Sequence, residues 1–222
     1  MSWMIARVRR PMRTIVYIDG FNLYYGCLKG TPCRWLDLQA FAQKMLPRDQ
    51  IVGIKYFTAK VDARPGKADA PKDQATYLRA LKTLPNLTVY LGRFLTTETW
   101  AYRVHPPKVG KSKVKIYKTE EKGSDVNLAT HLLVDGFQNS YDLAVVVSND
   151  GDLKSPVEYV RNHLQKPVGV LNPRRNRSYA LSPTTLPRGS FYKPIRTGVL
   201  RSSQFPSTLT DAAGTFKKPT DW

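Results

Sequence analysis

Thr14-Ile15-Val16-Tyr17-Ile18-Asp19-Gly20 is a short β-branched and apolar run that ends in an acid and a glycine. That pattern suits a strand buried on both faces of a parallel sheet and running straight into a turn. A second run, Leu143-Ala144-Val145-Val146-Val147, is the most apolar in the chain and ends in Ser148-Asn149-Asp150-Gly151-Asp152. Two such strands, each delivering carboxylates at its end, decide how the rest is read.

Working outward, residues 21–28 open a helix, and residues 36–46 carry apolar side chains at helical spacing and stop before Pro47. Residues 51–59 read as a strand, 62–71 as a polar surface loop, and 74–84 as an amphipathic helix broken by Pro85-Asn86. Residues 87–95 form another strand. Residues 96–118, with alternating Trp100, Tyr102 and Val104 around a Pro106-Pro107 turn, read as a hairpin or a disordered basic excursion. Residues 124–137 form the clearest helix, 153–164 a further one, and 168–171 a last short strand. Strands alternating with helices imply right-handed βαβ units. The expected fold is therefore α/β: a three-layer α/β/α sandwich around a mainly parallel, Rossmann-like sheet.

At 222 residues the chain suits one α/β domain. We expect that domain at 13–200, with 96–118 as an insertion, after a basic N-terminal extension (1–12). From Pro173 the sequence is rich in Arg, Ser, Thr and Pro, and 201–222 reads as a tail that folds back on the domain or contacts a partner, a second copy of the chain or another protein. Met12, directly before the first strand, is an alternative start, so no function is placed before it. There are no internal repeats.

The formal charge of +18, from 35 Lys and Arg against 17 Asp and Glu, points to a polyanionic partner, nucleic acid or an anionic surface, and gives affinity without identity. A solvated basic surface is the plain alternative. No run approaches the ~18–20 apolar residues of a membrane span, and the N-terminus lacks a signal-peptide apolar segment. Cys27 and Cys33 have no second pair at zinc spacing and are too few to staple a domain of this size. A soluble, reduced, cytoplasmic protein is expected.

In an open parallel sheet, ligands bind beyond the carboxyl ends of the strands, near the point where strand order reverses. Asp19, Asp150 and Asp152 emerge at that edge. Each alone fits a turn former or a helix cap; three at one edge favour a site. Asp125 adds a fourth. At ~100° per residue, Leu128, Ala129, Leu132 and Gly136 lie within about 60° of it, so it shares the apolar stripe that faces the sheet. The same wheel places His131 on the polar face with Asn127, Asp135 and Gln138, and all three histidines read as surface residues.

Clustered carboxylates raise one another's pKa unless a cation offsets them. Oxygen-only ligands select Mg²⁺ or Mn²⁺. Such a site can polarise a phosphodiester, lower the pKa of a bound water and stabilise the leaving oxygen. Asn22 could orient a phosphate or a water, or simply start a helix. Lys118 and Lys122 flank the approach to Asp125, and Arg174, Arg175 and Arg177 follow the last strand; both clusters suit phosphate steering, with solvated loop charge as the alternative.

Tyr17-Ile18-Asp19-Gly20-Phe21-Asn22-Leu23, Glu121-Lys122-Gly123-Ser124-Asp125-Val126-Asn127-Leu128-Ala129 and Val147-Ser148-Asn149-Asp150-Gly151-Asp152-Leu153, in that order, resemble the NYN domain, a branch of the PIN-like nucleases, and within it bacterial, LabA-like members. The resemblance spans about residues 13–196. It implies a PIN-like fold, Asp19, Asp125 and Asp150 as ligands of Mg²⁺ or Mn²⁺, Asp152 as a fourth ligand or a water-positioning acid, and cleavage of RNA. Many relatives carry another Asp where this helix has His131.

The expected function is a metal-dependent nuclease acting on single-stranded or loop RNA, with Asp19, Asp125, Asp150, Asp152 and Asn22 as its centre. The rival is an RNA-binding module of the same fold that no longer cleaves. An aspartate-nucleophile phosphatase would want an Asp at position 21, which is Phe. A dinucleotide-binding enzyme would want Gly-x-Gly-x-x-Gly where the chain has Asp19-Gly20-Phe21-Asn22.

Overall fold

Parallel strands joined by helices generate most of the structure, a computed structural model that describes residues 10–63, 68–182, 187, 189–220 and 222. The strands β1 (Arg13–Asp19), β2 (Gln50–Ala59), β3 (Leu87–Tyr102), β4 (Lys113–Lys122), β5 (Leu143–Val147), β6 (Val168–Asn172) and β7 (Phe191–Pro194) form one sheet in the order β4-β3-β2-β1-β5-β6-β7. Every neighbouring pair is parallel except β3 and β4. The helices are α1 (Gly20–Leu23), which runs on into a π-helical turn at Tyr24–Leu28, then α2 (Leu38–Met45), α3 (Ala70–Leu81), α4 (Ser124–Phe137), α5 (Lys154–Asn162) and α6 (Thr197–Arg201).

Successive strand residues point to opposite faces of a sheet, and the two halves of the core sort by that rule. Val16 and Ile18 of β1, with Leu143, Val145 and Val147 of β5, pack on the α2 and α3 side against Phe41, Leu78 and Leu81. Ile15 and Tyr17, with Ala144 and Val146, pack on the α4 and α5 side against Leu128, Leu132, Val157 and Val160. Helices thus cover both faces of the sheet, and the α/β sandwich expected from the alternation of elements is the observed fold.

Several details differ from the sequence reading. α3 starts at Ala70, earlier than its apolar periodicity suggested, because Pro71 at its first turn is pre-shaped for a helix and needs no hydrogen-bonded N–H there. Residues 96–118 are ordered on both sides of the turn: β3 pairs with β2 only as far as Ala59↔Gly92 and then continues to Tyr102, paired throughout with β4. β6 is not the last strand, since β7 adds to its edge in parallel. The expected extension falls largely outside the described residues, which begin at residue 10.

The segment read as a tail is packed. β8 (Thr208–Asp211) and β9 (Gly214–Lys217) form a hairpin, Phe205 is buried against Trp35, and the Trp35 indole N–H donates to the Pro206 carbonyl at 2.8 Å. Trp222 meets Trp35 and Tyr77, and Arg79 pairs with Asp211 at 2.6 Å while lying over Phe216. Apolar residues scattered one at a time show no period, yet each finds a place that Trp35 and Tyr77 provide.

Candidate metal centre

β1 lies at the centre of the sheet, with β2 on one side and β5 on the other. Strand order reverses there, and the carboxyl ends of β1 and β5 form the edge at which open parallel sheets bind ligands. The pairing of Ile18 with Val147 puts Asp19 beside Ser148. Parity puts both on the face covered by α4, since Asp19 follows Ile15 and Tyr17, and Ser148 follows Ala144 and Val146.

Asp125 reaches the same point from the N-terminal turn of α4. The chain turns from β4 into that helix at Gly123, whose φ of 102° favours glycine. Glu121 Oε1 accepts from both the N–H and the hydroxyl of Ser124 and so fixes the helix start. Asp150 follows β5 and caps a short 3₁₀ turn at Gly151–Leu153, its Oδ1 accepting from the Asp152 N–H at 3.0 Å.

One carboxylate oxygen from each of Asp19, Asp125 and Asp150 lies within 4.8 Å of the others. Asp19 is 4% exposed. Its Oδ1 accepts from the Asn22 N–H at 2.9 Å and its Oδ2 from the Ser148 hydroxyl at 3.0 Å. Burial nevertheless outweighs these bonds and, with Asp125 and Asp150 adding, raises its carboxyl to about 6. Asp125 is raised too, by burial first and then by Asp150, Glu121 and Asp152. Among the described residues no Lys or Arg forms an ion pair with any of the three. A pocket of uncompensated carboxylates is energetically unfavourable in itself, and a hard divalent cation is the partner that an all-oxygen donor set fits.

Asp152 stands outside the group of three: it is exposed and contributes its N–H to Asp150. Asn22 is buried and its Oδ1 accepts from the Asn149 N–H at 3.0 Å, tying the loop after β5 to the start of α1. Lys118 and Lys122 both pair with Glu120, on the ribbon face opposite Glu121. Arg174 and Arg175 are exposed in the loop after β6. Arg177 bonds Ser182 and lies over Tyr192, whose hydroxyl donates to Asn149.

Residue reading missed Ser148, whose hydroxyl donates to Asp19 and accepts from the Asp150 N–H. Its signal was its place immediately after the strand that pairs with β1. His131 is half-buried rather than free in solvent: its ring lies 4.1 Å from that of Tyr90, with the Lys55 amine 3.3 Å from Nδ1. Asp135, one turn on, is buried and bonded to Tyr17 and Lys55, both at 2.6 Å. This face of α4 packs on β2 and β3, which the wheel could not know. His163, by contrast, is exposed and stacks on Tyr159.

The same arrangement of sheet and helices occurs in a protein of unknown function from Vibrio parahaemolyticus, which superposes with a TM-score of 0.55 at 18% identity, over 85% of this chain and 95% of that one. In sequence, the chain is 33% identical to 6-hydroxy-3-succinoylpyridine 3-monooxygenase HspA of Pseudomonas putida, over 96% of this chain and 76% of that protein. Among the described residues no helix is long and apolar enough to cross a membrane. Residues 13–184, from the first residue of β1 into the segment between β6 and β7, match the NYN domain, and the chain therefore belongs to the NYN domain family, which groups it with the PIN-like nucleases.

Proposed function

We propose that this chain is a metal-dependent nuclease that hydrolyses phosphodiester bonds, most readily in single-stranded or loop RNA. The observation that carries the proposal is the convergence of Asp19, Asp125 and Asp150, unpaired by any described cation, at the ligand-binding edge of a chain of net charge +18. Mg²⁺ or Mn²⁺ held by these three would polarise the scissile phosphate and activate water. Asp19 is the rigid member, buried and held by Ser148 and Asn22. Asp150 is set by the turn that Asp152 closes, and exposed Asp152 is placed to orient the attacking water or to join the ligand set from outside. Arg174, Arg175 and Arg177 supply charge along the path of the phosphate backbone, and Lys118 and Lys122, paired with Glu120 on the far face of the ribbon, add to the positive field through which it approaches. The proposal extends to a LabA-like branch of the family and a cytoplasmic setting, in which the free thiols Cys27 and Cys33 stay reduced.

A second reading, hydroxylation of a substituted pyridine, is favoured by the activity in the name of the Pseudomonas relative. The residues support it less. The three carboxylates include no histidine, where iron oxygenases use two, and the turn after β1 lacks the glycine cradle of a dinucleotide site.

The test is incubation of end-labelled single-stranded RNA and DNA with Mn²⁺, Mg²⁺ or EDTA, beside Asp150→Asn. Metal-dependent cutting that the variant lacks is expected, with RNA preferred. RNA binding without cutting under any metal would leave a binding module in its place.

A further inference from the structure

The ribbon formed by β3 and β4 leaves the sheet after Gly92 and runs from the pair Arg93↔Lys122 to the pair Tyr102↔Lys113. At about 3.4 Å per residue, the stretch from Phe94 to Tyr102 is roughly 27 Å long. Paired residues share a face. One face therefore carries Phe94 and Glu121, Thr96 and Thr119, Glu98 and Tyr117, Trp100 and Lys115, Tyr102 and Lys113. The Thr96–Thr119 bond, the Lys115–Glu98 pair and the Lys113 amine over the Tyr102 ring all lie on this face. The opposite face carries Leu95, Ile116 and Val114 and no aromatic ring.

The aromatic face is exposed: Trp100 is 58%, Tyr102 72% and Tyr117 75% open to solvent. Large rings left in water on an ordered ribbon, interleaved with lysines, are the combination that binds unpaired bases and their phosphates. The face is also continuous with the carboxylate centre. Phe94, at its base, packs edge-on against Phe21, two residues after Asp19, and Glu121, beside Phe94, bonds the residue before Asp125.

We propose that this ribbon face is a stacking platform for single-stranded nucleic acid, on which bases are held by Trp100, Tyr102 and Tyr117 and phosphates by Lys113 and Lys115, leading the strand toward Asp19, Asp125 and Asp150. The proposal deepens the nuclease reading and rests on it for the direction of the strand. A duplex hides its base faces, so the platform selects unpaired substrate.

The test is fluorescence anisotropy of a labelled 20-nucleotide single-stranded RNA and of a blunt duplex of the same length. Both are measured in EDTA, so that binding is read without turnover, using the full chain, a triple variant (Trp100→Ala, Tyr102→Ala, Tyr117→Ala) and a control (Trp100→Phe, Tyr102→Phe, Tyr117→Phe). Thermal unfolding verifies that each variant folds. The expected result is a loss of tenfold or more in single-strand affinity for the alanine variant, affinity within threefold of the native chain for the phenylalanine variant, and a duplex affinity that the alanine changes leave within threefold. Equal single-strand binding by a folded alanine variant, or an equal loss for the duplex, would overturn the platform. Failure of the native chain to cut RNA would instead overturn the nuclease reading and leave the binding result standing.

Discussion

Replacing Asp19 by Asn should stabilise the metal-free protein while abolishing its activity. In the fold the Asp19 carboxyl is raised from 3.8 to about 6, chiefly by burial. A group raised in this way contributes stability that is fully present below the unfolded value and is lost as pH rises through the folded one. At pH 8 the penalty of ionising Asp19 in place is therefore complete, and at 1.36 kcal/mol per pH unit it amounts to about 3 kcal/mol. Asparagine is as good a helix cap as aspartate: its Oδ1 can still accept from the Asn22 N–H, while its Nδ2 would donate to the Ser148 hydroxyl and reverse that bond, so the substitution removes the charge at the cost of one reoriented hydroxyl. For a domain of this size each kcal/mol moves Tm by about 2–4 °C, which gives a rise of roughly 6–12 °C. Differential scanning calorimetry in EDTA at pH 4 and pH 8 measures it. The variant should melt within about 2 °C of the native chain at pH 4, well above it at pH 8, and below it at pH 8 once Mn²⁺ is added, because ligand binding to the folded state stabilises only the protein that can hold the ion. A lower Tm for Asp19→Asn in EDTA at pH 8, or a difference independent of pH, would refute the reasoning.

Ser148→Ala removes the hydroxyl that donates to Asp19 and accepts from the Asp150 N–H; Mn²⁺ affinity by calorimetric titration should fall about 10–100-fold, as for other residues that orient metal ligands, with the fold intact. Trp35→Ala removes a fully buried ring that touches Phe205, Tyr77 and Trp222; it should cost about 3–5 kcal/mol in urea unfolding and expose the last twenty residues to limited proteolysis. Arg79 holds the Asp211 carboxyl down at about 2, from 3.8. A lowered carboxyl stabilises the fold above the unfolded value and loses that contribution as pH falls through the folded one, so Asp211→Asn should show a small Tm deficit at pH 6 by scanning calorimetry, and that deficit should disappear between pH 4 and pH 2.

The layers and the carboxylate edge were legible because β1 and β5 are short, apolar and end in acids, and because Asp125 shares a stripe with Leu128 and Leu132. What could not be read depended on partners distant in sequence. Asp135 and His131 look polar and outward on a wheel, yet Lys55 of β2 and Tyr17 of β1 supply the amine and hydroxyl that make a polar face worth burying. Ser148 gains its role only once β1 and β5 are known to pair in register. Phe205, Leu209, Phe216 and Trp222 carry no periodicity, because they fill a surface made by α2, α3 and the loop before them. Asp152 is nearest to Asp150 in sequence, yet its place outside the group of three could be seen only once the turn that its N–H closes with Asp150 was known.

The central claim, hydrolysis at the three-carboxylate centre, is tested most directly by cutting single-stranded RNA in ¹⁸O-labelled water with Mn²⁺ and weighing the products. One labelled oxygen in each new terminal phosphate, and no product from Asp125→Asn, is the expected result. Products ending in unlabelled 2′,3′-cyclic phosphate, or equal cutting by the variant, would contradict it.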